Sequence, residues 1–283
     1  MTHLLAVTSM ALYVVATALM LAQLWRPSRA GKTLKLSQAA FFSALALHTA
    51  LLALVLRDSR YVLLDNGADY FLLVSWGLAC TFAALQRRLN YPIVAAFLIP
   101  CIVVFMGSSS YLLHQQAASV LPASDAQTGE DILLSVLHAV PALVAVVSLA
   151  LALVVSSVFL IVEGRLKARR AAALSIAGPN LQILDMLNRQ LIQVGFVAIS
   201  FVVLSGSLWA VSQQKPVFSP DTSVISGLAT WILLAFILHV RLVLRWSPKQ
   251  VSRLTVLVTA SFFVAVFAVM AVAGRLTHAE LFS

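Results

Sequence analysis

Charged side chains are scarce in this chain. Asp, Glu, Lys and Arg together make up 10% of its 283 residues, whereas a soluble domain carries about 25%. Hydrophobic residues make up 61%, and the mean hydropathy is +0.98. One soluble core of this size cannot bury so much apolar surface, so lipid must be the solvent for most of it. The composition therefore excludes a soluble globular protein and predicts an integral membrane protein.

Cysteine and intramembrane carboxylates are scarce as well. The two cysteines, Cys80 and Cys101, lie in apolar runs. Neither belongs to a CxxC or CxxCH motif, which excludes a thioredoxin-like centre and the usual attachment signal of a c-type haem. Asp and Glu are almost absent from the apolar runs, which argues against a proton relay or an ion-coupled transporter.

Long apolar runs dominate what is present. A membrane-spanning helix needs about 20 mostly apolar residues. The runs predict an all-α integral membrane protein with eight transmembrane helices, which form a single transmembrane domain over residues 1–283. The fifth run is long enough to extend beyond the bilayer or to tilt strongly. The predicted spans are 4–25, 37–56, 70–85, 93–113, 132–162, 191–211, 224–244 and 254–273.

The segment Gly178–Gln190 is too polar to cross a bilayer. Pro179 suits the first turn of a helix, and Leu181, Leu184 and Leu187 share one helical face. We expect a short amphipathic helix at the cytoplasmic interface between the fifth and sixth spans, and we interpret it as a connector rather than a docking element.

The net charge of +9 comes from Lys and Arg in alternate loops, so it does not indicate a nucleic-acid partner. By the positive-inside rule the basic loops face the cytoplasm and both termini face outward. The protein is therefore expected to be a multi-pass protein of a bacterial cytoplasmic (inner) membrane. The basic positions are Arg26, Arg29, Lys32, Lys35, Arg87, Arg88, Arg165, Lys167, Arg169, Arg170, Arg241, Arg245, Lys249 and Arg253.

Histidine is the reactive residue type that remains. His48 and His239 lie inside apolar runs, and His138 and His278 lie at the outer ends of two other runs. A ring nitrogen in hydrocarbon is costly unless it is bonded, so each is a candidate ligand of a metal or of haem iron. The alternative for each is a hydrogen bond to a nearby carbonyl or hydroxyl. The two depths predict two sites, one in the bilayer and one above it.

Haem suits these histidines better than zinc does. Haem iron accepts two axial imidazoles, and a helix bundle offers an apolar slot for the porphyrin. A zinc site needs three or four clustered ligands, and no Cys or carboxylate neighbours either pair in sequence. His3 and His114 lie at a terminus and at a span end, and we interpret them as interfacial residues without a site role.

The outer loop after the sixth span adds aromatic residues. Trp209, Phe218 and Trp231 are predicted to form an aromatic shelf at the membrane edge. An ordinary interfacial belt explains Trp209 equally well. Asp221 is a candidate site residue, with the N-cap of the seventh helix as its alternative role.

The chain resembles the cytochrome c assembly family, within the CcsA/CcmC superfamily, and most of all its small HemX-like and YpjD-like members. The resemblance is clearest over residues 132–283 and includes the stretch NLQILDMLNRQLIQVGFVAISFVVLSGSLWA. The family's loop reads approximately WxWDPKExWxxxxW and is followed by a helix that ends in LHxR. Asp221 and Trp231 match this loop, and LHVR at residues 238–241 matches the helix end. Phe218, Pro220 and Ser226 stand where the motif has tryptophans.

The resemblance implies one haem held in the membrane by two histidines and a second presented at the outer face by two more. Carried over, His48 and His239 form the inner pair, and His138 and His278 form the outer pair. It further implies haem b as the cofactor. The implied partners are the lipid bilayer and a protein of cytochrome c maturation or haem biosynthesis.

We therefore predict a membrane protein that binds haem b and transports or presents it at the outer face, without covalent catalysis of its own. Three alternatives remain. The first is a membrane regulator of haem biosynthesis, as for the HemX-like relatives. The second is a diheme cytochrome b that transfers electrons. The third is a transporter of a small apolar or cationic solute.

Overall fold

The computed structural model describes residues 2–25, 30–58, 67–86, 92–118, 129–167, 180–212 and 222–279. Over these residues the chain is helical, with eight helices that are each long and apolar enough to cross a membrane. The predicted all-α membrane fold is thereby confirmed. The helices are α1 Thr2–Trp25, α2 Ala30–Asp58, α3 Gly67–Leu85, α4 Pro92–Ala118, α5 Gly129–Lys167, α6 Leu181–Ser212, α7 Thr222–Leu242 and α8 Pro248–Ala279.

The chain divides into two compact units. The first contains Met1–Leu113 and Val158–Leu184, and the second contains His114–Ser157 and Asp185–Ser283. Helix α5 contributes to both and has 39 residues. At 1.5 Å per residue it is about 58 Å long, against about 30 Å of hydrocarbon. This length agrees with the prediction that the fifth apolar run extends beyond the bilayer.

In the first unit, α1 and α2 pack along their length as antiparallel neighbours. The Ser9 hydroxyl donates to the Ala44 carbonyl at 2.9 Å, and the Gln23 amide donates to the Ser37 hydroxyl at 3.2 Å. Ser9, Gln23 and Ser37 are all buried. Each buried polar group thus finds a partner on the facing helix, which fixes the register of the pair because an unpaired group in an apolar interior is unfavourable.

Many hydroxyls of the described helical residues are satisfied locally. Thr17, Ser200 and Ser207 each donate to the carbonyl four residues earlier, at 2.8–2.9 Å. This back-bonding lets a helix carry Ser and Thr through hydrocarbon without exposing a polar group. A hydroxyl that also faces a side chain of another helix therefore marks a specific contact between the two helices.

The amphipathic segment differs from the prediction in one respect. Residues 181–190 are helical, and Leu184 and Leu187 are buried as the pattern predicted, but they form the first turns of α6 rather than a separate helix. Gln182 N donates to the Asn180 side chain at 2.8 Å, which caps the helix at its start. No proline interrupts the chain between the cap and Ser212, so the backbone hydrogen bonds continue into the apolar run.

Candidate functional site

His48 lies on α2 in the first unit and is fully buried. The Tyr13 hydroxyl of α1 lies 3.4 Å from its Nδ1, and the Ser75 hydroxyl of α3 lies 3.4 Å from its Nε2. Tyr13 and Ser75 are also fully buried. Three helices therefore converge on one imidazole, and each ring nitrogen faces a hydroxyl.

The protons around His48 can be assigned by counting donors. Ser75 Oγ donates its single proton to the Leu72 carbonyl at 2.8 Å, so it turns a lone pair towards His48. In this arrangement Nε2–H faces the Ser75 oxygen, and the Tyr13 hydroxyl donates to Nδ1. The contacts therefore suit a neutral imidazole protonated on Nε2.

His138 lies on α5 in the second unit and is held from one side. Its Nδ1 lies 3.2 Å from the Ser205 hydroxyl of α6. Ser205 Oγ also lies 2.7 Å from the Phe201 carbonyl and 3.1 Å from the Val202 carbonyl. When it donates to one of these, its oxygen can accept a hydrogen bond from Nδ1–H. In the part of the chain that the structure describes, no hydrogen-bond partner faces Nε2. With Nδ1 as the donor, His138 carries its lone pair on Nε2, which is the tautomer that a metal-ligating histidine needs.

The His138 ring packs closely against α6. A Cβ atom added at Gly206 would lie 3.4 Å from Cε1 and 3.5 Å from Nδ1 of His138. One turn further along α6, the Trp209 ring lies with its centroid 6.5 Å from that of His138. The structure therefore brings together two predicted site residues, His138 and Trp209, and adds Ser205 and Gly206 between them.

Trp231 of α7 contacts a different part of α6. Its Nε1 donates to the Ser200 hydroxyl at 2.9 Å, and its ring stacks on Phe196 with 5.9 Å between centroids. This tryptophan fixes the contact between α6 and α7. Its polar edge is occupied by Ser200, and its ring is stacked on Phe196.

His239 lies in the last turn of α7 and is exposed. Two residues later, Arg241 forms an ion pair with Asp185 of α6, and it donates a second hydrogen bond to the Asp185 carbonyl at 3.0 Å. Arg241 Nη1 is buried and has no hydrogen-bond partner among the described residues. The LHVR segment therefore ends α7 with an arginine that joins α7 to α6 through an ion pair.

Asn188 extends this polar contact by one turn of α6. It is 1% exposed, and its side chain donates to the Ser156 hydroxyl of α5 at 2.8 Å. Together with the Asp185–Arg241 pair, it fastens α5, α6 and α7 to one another within the second unit.

The remaining predicted site residues lie outside what the structure describes. Phe218 and Asp221 fall between the described ranges, and the side chain of His278 on α8 is not among those described. His48 belongs to the first unit and His239 to the second. The proposed pairs, His48 with His239 and His138 with His278, stay predictions.

The described histidines differ in how well they fit a haem. His138 fits, because Nδ1–H is oriented by a hydroxyl and Nε2 has no described partner. His48 fits less directly, because Ser75 covers its Nε2. Among the described residues no cluster of three or more His, Cys, Asp or Glu could hold a metal ion. Haem iron needs no such cluster, since the porphyrin supplies the equatorial ligands.

Sequence reasoning missed the hydroxyl partners of the histidines. Tyr13 and Ser75 lie 35 and 27 residues from His48 in the chain, and Ser205 lies 67 residues from His138. The one local signal was Gly206, because a glycine inside an apolar helix often marks a close approach by another group.

The described helices define a multi-pass helical membrane protein, and one described histidine, His138, has its Nδ1 facing a hydroxyl of a neighbouring helix. The chain belongs to the cytochrome C assembly protein family, whose model matches residues 64–276. The resemblance noted in the sequence is thereby confirmed. Helices α1 and α2, with Tyr13 and His48, precede the matched residues.

Individual relatives agree with this assignment. The chain is 24% identical over 242 residues to the cytochrome c biogenesis protein CcsA of Prochlorococcus marinus (strain NATL1A), a match that covers 75% of this chain and 74% of that protein. It is 21% identical over 215 residues to CcsA of Guillardia theta, covering 71% and 70%. For CcsA of Synechococcus sp. (strain CC9605) the identity is 25% over 225 residues, covering 72% and 73%.

Proposed function

We propose that this protein binds haem b in the membrane and transports or presents it at the outer face, as a step of cytochrome c maturation. The family and the relatives named as cytochrome c biogenesis proteins support the process. The observation that carries haem binding is the geometry of His138, whose Nδ1–H is held by Ser205 while Nε2 is left to coordinate.

His138 is the ligand of the outer site in this proposal. The Ser205 hydroxyl keeps its ring in one tautomer and one orientation, which raises the basicity of Nε2 towards a metal. Trp209 flanks the ring from the next turn of α6, and it supplies an apolar surface for a porphyrin edge. When bound, haem would be held by His138 at this site and would supply an iron that accepts an imidazole nitrogen.

The other sequence-predicted residues complete the proposal. His278 is the second outer ligand, and His48 and His239 are the inner pair. In this proposal the outer haem also contacts Phe218 and Asp221, which precede α7 in the sequence, and Trp231, which lies on α7. The proposed haem is haem b rather than haem c, because the sequence has no CxxCH motif for covalent attachment.

The same proposal places the protein in a bacterial inner membrane, with both termini outward and a cytochrome c maturation protein as partner. The positive-inside rule supports the orientation, since Lys and Arg concentrate in alternate loops. Fusions of a reporter that is active only outside the cytoplasm, placed after residue 283 and in the loop after α7, test it. Activity is expected at the first position and not at the second.

The test of haem binding uses protein purified in mild detergent from haem-replete cells. A reduced-minus-oxidised spectrum and a pyridine haemochrome assay are expected to show haem b. His138→Ala is expected to lower the haem content, whereas the matched control His114→Ala is expected to leave it unchanged, because His114 is exposed and was assigned no site role. A colourless wild-type protein, or equal haem in all three proteins, contradicts the proposal.

A further inference from the structure

Helix α5 contains a proline less than one turn from His138. Pro141 lies inside the helix. Proline has no amide proton, so the Leu137 carbonyl has no partner at the usual position four residues later, and the proline ring pushes that carbonyl away. A proline inside a helix is a common cause of a kink. The turn of α5 that carries His138 is therefore the turn in which the backbone hydrogen bonding is interrupted.

The packing of α5 changes near the same turn. Among residues 133–140 only Ala139 is buried, whereas the four consecutive residues 149–152 are at most 2% exposed. A segment with few buried contacts opens at a lower free energy than a packed one. Pro141 thus separates a lightly packed N-terminal segment, which carries His138, from a firmly packed remainder. The apolar residues of the N-terminal segment that are 44–58% exposed are Leu133, Val136, Leu137 and Val140.

Helix α6 has a point of low backbone stability where it contacts the same histidine. Ser205, Gly206 and Ser207 are consecutive, and both serine hydroxyls lie within 2.8 Å of a carbonyl one turn earlier. Such contacts often bend a helix, glycine lowers helix stability, and Gly/Ser pairs are among the usual kink sites. The other glycine of α6, Gly195, has no serine beside it and faces side chains of α5 at 3.5 Å or more from an added Cβ. Both helices are therefore easiest to bend where His138 contacts Ser205.

We propose that residues 137–141 of α5 and 205–207 of α6 form one flexible joint. About this joint the N-terminal end of α5 and the C-terminal end of α6 separate, which admits a planar apolar ligand to His138. The proposal rests on the haem-binding function proposed above, in which that ligand is haem. The contact of 3.2 Å between His138 Nδ1 and the Ser205 hydroxyl lies within the joint itself, so the imidazole keeps its orientation while the two ends move.

Trp209 lies on the part of α6 that moves. It is one turn beyond Ser205, and its ring lies with its centroid 6.5 Å from that of His138 and tilted by 59°. Separation of the two helix ends carries this ring away from the imidazole, and their return brings it back. Because an aromatic ring offers a large apolar surface, Trp209 closes the site and contacts the edge of the ligand in the same movement.

Spin labels test the movement in haem-depleted protein whose two native cysteines are replaced by alanine. One pair of labels, attached to Leu133→Cys and Leu208→Cys, lies at exposed positions beyond the joint, and a second pair, attached to Val144→Cys and Val197→Cys, lies at exposed positions on its other side. Double electron–electron resonance is expected to give a broader distance distribution for the first pair. Pro141→Ala restores the missing amide donor, so it is expected to narrow the first distribution and to leave the second unchanged.

Pro100→Ala is the matched control, because Pro100 also lies inside an apolar helix but belongs to the first unit. It is expected to leave the first distribution broad. An unchanged second distribution shows that Pro141→Ala has folded. Gly206→Ala stiffens the α6 side of the joint and replaces Pro141→Ala should that variant fail to fold. A first distribution that is narrow in the wild type, or that stays equally broad in the folded variant, overturns the joint.

The rate of haem association tests what the joint is for. Haem mixed with haem-depleted protein in a stopped-flow instrument is expected to bind about fivefold more slowly to Pro141→Ala, the factor that corresponds to one additional backbone hydrogen bond. The haem content at saturation stays equal, and Pro100→Ala associates at the wild-type rate. A wild-type rate in Pro141→Ala overturns the role in admitting the ligand. A wild type that binds no haem but shows the broad distribution and its narrowing refutes the haem-binding function and retains the joint.

Discussion

His48 and His138 are the same residue type in comparable apolar helices, yet their surroundings differ. His48 has a hydroxyl at each ring nitrogen and is fully buried. His138 has a hydroxyl at Nδ1 alone and is partly exposed. The difference shows that burial alone does not leave a ring nitrogen of a histidine accessible. A ligand needs one nitrogen held by the protein and the other left accessible, and of the two histidines His138 meets that condition directly.

The two units also differ in how their helices are joined. In the first unit the contacts around His48 are neutral hydrogen bonds at 3.4 Å. In the second unit, Asp185 and Arg241 form an ion pair in which the side chains are 28% and 12% exposed. An ion pair with so little solvent access is more sensitive to loss of one partner than a neutral contact is, because the remaining charge stays buried.

The largest expected effect is on the ion pair. Asp185→Ala should lower the free energy of unfolding by about 3 kcal/mol, the low end of the range for a buried pair, since Asp185 keeps some solvent access. Tyr13→Phe in the first unit should lower it by about 1 kcal/mol, as for one neutral hydrogen bond. Both are measured by reversible unfolding in mixed micelles, followed by tryptophan fluorescence.

A double variant controls this comparison. Adding Arg241→Leu to Asp185→Ala removes the uncompensated charge and should restore part of the lost stability. If Asp185→Ala costs less than about 1 kcal/mol, the pair behaves as an exposed one, and the contrast between the units disappears.

The next effect concerns the close approach of His138 to α6. Gly206→Leu places a side chain where a Cβ already lies 3.4 Å from the imidazole, so it should displace the ring and remove most haem bound there. Overpacking of this kind typically costs about 1–3 kcal/mol. Gly206→Ala adds only the Cβ, at ordinary contact distance, and should retain haem.

Gly227→Ala provides the control at a glycine with nothing within 4 Å of the added Cβ. The measurement is the haem content and the reduced spectrum of each purified variant. Equal haem in Gly206→Leu and Gly227→Ala would show that the His138 ring is not part of the haem site.

A smaller effect is expected from the hydroxyl that orients His138. Ser205→Ala removes the acceptor of Nδ1–H and should weaken haem binding by about tenfold, within the range observed when a partner of a metal ligand is lost. Ser205→Thr keeps the hydroxyl and should retain most of the affinity. Affinity is measured by haem titration into the haem-depleted protein, and equal affinities of the Ala and Thr variants would refute the role of Ser205.

Much of the fold was predictable, because hydropathy is a property of consecutive residues. The predicted spans correspond to the observed helices, and the residues that continue α6 back to Leu181 are the clearest difference. Hydropathy marks the apolar part of a helix, whereas backbone hydrogen bonds extend it into polar sequence until a cap such as Asn180. The apolar pattern therefore located the span and missed the length of the helix.

The site was predictable only in part. His138 and Trp209 were identified because histidine and tryptophan are uncommon in apolar runs. Ser205 was not, because hydroxyls such as Ser200 and Ser207 recur along α6 and donate to the previous turn. The packing of α5 against α6 decides which of these hydroxyls contacts a histidine. His138 and Ser205 lie 67 residues apart in the chain. That information is tertiary and has no local signature.

The smallest predicted effect lies at the end of α7. Arg245 has φ of 49°, in the left-handed region that usually ends a helix with glycine. The amide of Leu244 donates to the His239 carbonyl at 3.3 Å and that of Trp246 to the Val240 carbonyl at 3.1 Å, which satisfies the last carbonyls of the helix. The Trp246 ring packs edge-on against Phe236 with 6.5 Å between centroids. The left-handed conformation is therefore held in place by the contacts on both sides of Arg245.

Arg245→Gly should raise the free energy of unfolding by about 0.5–1 kcal/mol. Relief of the left-handed strain, about 1–2 kcal/mol, is partly offset by the greater freedom of glycine in the unfolded chain. Arg245→Ala removes the same charge and keeps the Cβ, so it should give no such gain, and the difference between the two variants isolates the backbone effect. Both are compared with the wild type by unfolding in the same micelles. A gain of equal size in Arg245→Ala would assign the effect to the arginine charge and contradict the role given to the backbone.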